Sequence, residues 1–176
     1  MELETFILED NECIDLGEAQ EAYDNYPRTE ETFQGKREEY LAYVEELKSK
    51  NPASITRQEE ERADTLYEET NRIRQDCLDR KAVLSRKLEE LILEIKEIEA
   101  DLHYHVKSFD DEGIQLAQSL FKEVLELRDN NGLINAIERA YQARESLTGL
   151  LVQARDVWLR RHDEKVCSFL NPSEKG

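Results

Sequence analysis

Between Ala53 and Lys107 the chain runs for 55 residues without a proline or a glycine. At 1.5 Å rise per residue such a stretch makes a helix roughly 80 Å long. That is wider than a small globular domain, so the expected molecule is built from long paired helices. Composition agrees. Charged residues are 37% of the 176-residue chain, against about 25% in ordinary domains. Turn residues do not recur at strand spacing, which excludes a sheet protein. The fold class read from the sequence is therefore all-α: an elongated antiparallel helical hairpin or coiled coil with a three-helix base. A compact four-helix bundle is the alternative.

The formal net charge is −17, and it is unevenly placed. Residues 1–27 hold nine acids and no Lys or Arg. An acidic surface repels phosphates and anionic lipid, so direct nucleic-acid binding is not expected, and apolar stretches only a few residues long, such as Leu91-Ile92-Leu93, exclude membrane insertion. The acidic tail reads as a solubilising segment or as a docking tail for a basic partner. Cys13, Cys77 and Cys167 are widely spaced and form no CxxC pair, so neither a zinc site nor a disulfide framework is implied. The expected setting is a reducing, cytoplasmic compartment. The amino terminus lacks the basic and apolar regions of a secretory signal.

Three regions follow: an acidic, partly disordered amino-terminal segment over 1–27, a helical hairpin or bundle over 28–170, and a polar tail over 171–176. Pro27 closes the first. Thr29 is placed to cap a helix in which Phe33, Tyr40, Val44 and Leu47 share one face. Asn51-Pro52 ends it, because the residue before proline is pushed out of the α region. Thr56 and Glu59 match a capping box at the start of the long helix. Leu84, Leu88, Leu91, Ile95, Ile98 and Leu102 then step by 4 and 3, a coiled-coil seam. Upstream that seam is poorer, and a second line through Leu66 and Ile73 runs beside it. A register shift near 73–81 fits a change of partner helix.

Ser108 to Gly113 is a polar turn, with cap chemistry at Ser108 or Asp110. Ile114, Ala117, Leu120, Phe121, Val124, Leu125 and Leu127 make the next helix amphipathic. Asn130-Asn131-Gly132 is a strong turn signal. In the last helix Leu133, Ile137, Ala140, Arg144, Leu147, Leu151, Ala154 and Trp158 step by 4 and 3. The stretches 53–107 and 113–168 match in length, 55 and 56 residues. That match suggests two antiparallel arms with a kink at 130–132, and a base where 29–50 meets 146–168. A full turn at 130–132 gives the four-helix alternative. It strands part of the last helix beyond its partners unless a second subunit covers it.

No constellation indicates catalysis, so the chain reads as not an enzyme, with no metal and no cofactor. His103 and His105 are two residues apart, about 200° around a helix, and cannot share one ion. No acid has a histidine three residues later, as a diiron bundle needs. No phosphate-binding loop or nucleophile elbow is present. Cys77 lies in an apolar seam. The basic residues between Arg57 and Lys87 are interleaved with acids and read as ion-paired helix surface.

Two clusters are better candidates for protein contact. Val157, Trp158 and Leu159 are apolar on more sides than one interface uses. Leu91, Leu93 and Ile95 occupy more than one face of the long helix. Self-association there, as a homodimer, competes with burial by 113–129 and the last helix. The functional reading is a non-enzymatic helical scaffold or adaptor that acts through coiled-coil contacts with protein partners or a second copy. The alternative is an acidic helical chaperone or regulator masking a basic or amphipathic client.

Overall fold

The computed structural model describes residues 14–105, 111–130 and 132–170. Residues 1–13, 106–110, 131 and 171–176 lie outside them, and with them the first half of the turn expected from Ser108 to Gly113; its second half, from Asp111, is helical instead. Four α-helices are present among the described residues: α1 (Gln20–Lys48), α2 (Arg57–Tyr104), α3 (Asp111–Asp129) and α4 (Leu133–Leu170). No strand occurs among the described residues, so the fold is all-α. The chain divides into a unit of residues 15–86 and a unit that includes residues 87–170. α2 contributes to both.

In the first unit α1 and the first part of α2 form an antiparallel hairpin. Lys36 pairs with Glu69 at 3.4 Å and Arg80 with Glu21 at 2.7 Å. The Tyr40 and Tyr67 rings stand 5.8 Å apart, and Thr70 donates to the Lys36 carbonyl. On α2, Leu66, Thr70, Cys77 and Leu84 are buried. The seam that faces α1 thus runs through Leu66, Thr70, Ile73 and Cys77, with Tyr67 exposed at its edge beside Tyr40. Burial raises the Cys77 pKa, with Glu30 and Asp76 adding to the effect. That describes an inert core thiol.

The Asn51-Pro52 break and the Thr56 cap are both present. Asn51 is extended, with ψ of 127°, and its side chain accepts from Ala53 N–H. The Thr56 hydroxyl accepts from Glu59 N–H at 3.2 Å. Lys50 reaches Glu59 at 2.8 Å. That hydrogen bond is the largest influence holding the Glu59 pKa below its ordinary value.

α1 departs from expectation at its start. It begins at Gln20 and passes through Pro27, although a proline inside a helix removes one backbone bond. Tertiary contacts outweigh that local cost. Leu16, Ala19 and Ala22 are buried. Arg80 donates to Glu21 and to Thr29 Oγ1. Thr29 is therefore not a cap: its hydroxyl donates to the Asn25 carbonyl within the helix.

The second unit is a three-helix bundle, and its direction differs from the two-arm scheme. Arg144 meets Glu94 at 2.9 Å and Arg155 meets Asp101 at 3.1 Å. Partner numbers rise together, so α4 runs parallel to α2. α3 is the antiparallel member, with Arg128 on Glu89 at 3.2 Å and Arg139 on Glu123 at 3.1 Å. The chain reverses fully at 130–132, where Gly132 N–H closes on the Leu127 carbonyl and the Gly132 carbonyl accepts from Ala136. A Cβ at Gly132 would sit 3.4 Å from that Leu127 oxygen, so glycine gives room for the close turn. The helices that share a core with residues 94 and 101 of α2 are α3 and α4, in place of the expected kinked arm.

The core of this unit is Leu88, Leu91, Ile92, Ile95 and Leu102 of α2, Val124 of α3, and the α4 stripe from Ala136 to Ala154. Alanines at 136, 140, 143 and 154 are fully buried, and their small size permits close helix approach.

Candidate interaction surface

Arg144 shows how tightly the near part of α4 is held. Burial alone would lower its pKa. Hydrogen bonds and charge from Glu94 and Glu145 outweigh that, and the guanidinium ends above its ordinary value. It also lies over the Tyr141 ring, 4.9 Å from the centroid. One α2 residue is less well served: Glu99 Oε1 is buried without a hydrogen-bond partner among the described residues, and burial raises the Glu99 pKa against the pull of His103 and Lys96.

The sequence candidates fall into two groups. Leu91 and Ile95 are completely buried, between partners of their own chain, and offer no free surface. Leu93, 59% exposed, stands alone on the outer face, an ordinary isolated surface residue. Val157 is half-buried, while Trp158 and Leu159 are exposed.

Trp158 and Leu159 belong to a larger surface. Arg155 touches Asp101 three residues before α2 ends at Tyr104. α4 continues from there to Leu170, about 22 Å of further helix. On this stretch Val166, Phe169 and Leu170 are 52%, 84% and 73% exposed. The Trp158 and His162 rings meet in a tilted arrangement with centroids 4.1 Å apart, an i,i+4 contact along the helix. Val166, Phe169 and Leu170 are not among the residues that the sequence singles out for contact. The signal was there: a full turn at 130–132 slides α4 past the end of α2 and uncovers them.

Elsewhere the chemistry is sparse. An open groove of about 340 Å³ along α3 and α4 is lined by Glu123, Leu127, Asn135, Glu138, Arg139 and Gln142. Its cation is engaged, since Arg139 binds Glu123 and donates to Gln142. Among the described residues no group of His, Cys, Asp and Glu could hold a metal ion, and no helix is long and apolar enough to cross a membrane. Comparison with protein families, with curated proteins and with solved structures found no match.

Proposed function

We propose that the protein is a non-enzymatic helical adaptor or scaffold, and that partners dock on the face of α4 beyond Arg155. One observation supports this most: an aromatic and aliphatic helix face, Trp158 to Leu170, outruns the helices that cover the same side of α4 earlier in the chain. Exposed apolar patches of this kind commonly mark association. A helix presenting anchors at spacings of 3 and 4 suits docking into an apolar groove or a coiled-coil seam. A reducing, cytoplasmic setting is part of the reading and agrees with free Cys77 and Cys167.

The test is a photo-crosslinking residue placed at Val166 or at Glu164, in the presence of a lysate. The docking reading expects protein adducts at Val166, few at Glu164 on the opposite side of the helix, and little change in high salt. Equal labelling at both positions would overturn it. Adducts lost in high salt would point instead to the acidic chaperone reading, because exposed charges are screened over about 8 Å at physiological ionic strength.

A further inference from the structure

We infer that the distal face of α4 pairs with the same face of a second copy, as an antiparallel helix pair crossing near Val166. This rests on the docking reading above and names its occupant.

Continuity is the first argument. The stripe holding Leu147, Leu151 and the α2-bound Arg155 continues in steps of 3 and 4 to Trp158, His162, Val166 and Phe169. Beyond Tyr104 the place beside that stripe is no longer filled by α2. A second helix there extends an interface that the chain already makes.

Area is the second. A pair crossing at Val166 overlaps over 162–170, where Val166, Phe169 and Leu170 expose on the order of 400 Å², about half of the ~800 Å² that each partner gives to a standard interface, which suits a weak dimer.

Charge is the third, and it selects the partner. α4 carries six Arg and Lys against five Asp and Glu, while α1 has four against eight, α2 nine against fourteen and α3 two against five. Pairing two copies through any of the first three helices brings like charge together. α4 is the one helix near neutrality, so self-pairing through it carries no such cost. The antiparallel sense follows, because a parallel pair would set the two acidic bundles side by side.

A two-fold axis makes the contact isologous. Val166 then meets Val166 of the second copy, and Phe169 meets His162 in both directions, a large ring over a smaller one.

The test uses the purified full chain, with light scattering across concentration and circular dichroism as a folding control. Wild type is expected to be a dimer at tens of micromolar. Phe169→Asp is expected to be a monomer with unchanged helicity. With Cys13 and Cys167 replaced by serine, Val166→Cys is expected to form a covalent dimer on mild oxidation. Val152→Cys, on α4 but far from the crossing, is expected to stay reduced. A wild-type monomer at high concentration, or crosslinking at Val152 as fast as at Val166, would overturn the second-copy assignment. Photo-adducts at Val166 to another protein in that case would leave the docking reading standing, so the two fail separately.

Discussion

The near and far portions of α4 share one helix, one periodicity and opposite surroundings. From Ala136 to Ala154 the stripe is sealed by α2 and α3; from Trp158 onward a similar stripe faces outward. What differs is the extent of the neighbours, since α2 stops at Tyr104. An apolar seam in sequence states that a helix wants company, and only the placement of turns decides whether its own chain supplies it.

The largest expected contrast is between Leu147 and Trp158. Leu147 is fully buried, so Leu147→Ala should cost about 2–5 kcal/mol by urea denaturation. Trp158→Ala should change the stability of the dilute protein by less than about 0.5 kcal/mol, as for other surface sites. Equal losses would mean that the far portion is packed like the near one.

A smaller contrast separates two arginines of α4. The Arg144 side chain is 21% exposed and bound to Glu94 and Glu145. Arg144→Ala should cost about 1–2 kcal/mol, the range for hydrogen bonds to charged groups. Arg155 and Asp101 are both more than half exposed, and Arg155→Ala should cost at most about 0.5 kcal/mol. Chemical denaturation of the two variants side by side checks the order.

Smallest is the effect at Glu99. Its pKa is raised by burial, so its ionisation opposes folding. The penalty is absent below the ordinary carboxylate range, grows as pH rises through the raised value, and is complete above it. Glu99→Gln should therefore raise the thermal midpoint at neutral pH and give no gain in acid. A gain that is equal at both pH values would contradict the burial argument.

Much of the fold was legible from residues alone. The Asn51-Pro52 break, the Thr56 cap and the seam from Leu84 to Leu102 all follow from local chemistry and periodicity, whereas the division of α2 between two units falls at 86–87 and not at the register shift near 73–81. The start of α1 did not, because Pro27 is a local stop signal that Arg80 and the buried Leu16 override from a distance. The sense of α4 was also hidden. Asn130-Asn131-Gly132 signals a turn, but whether it kinks or reverses depends on how α3 packs, which spacing does not encode. That ambiguity hid which apolar residues the fold leaves exposed. Leu91 and Ile95 look excessive for one partner helix and are fully buried, while the exposure of Val166 and Phe169 follows from where α2 ends.

Hydrogen exchange along α4 at two protein concentrations tests the central claim most directly. The account expects amides from Ala136 to Ala154 to exchange slowly in both samples. Amides from Trp158 to Leu170 should be slow when concentrated and fast when dilute. Far-portion amides that exchange at one rate regardless of concentration would contradict it.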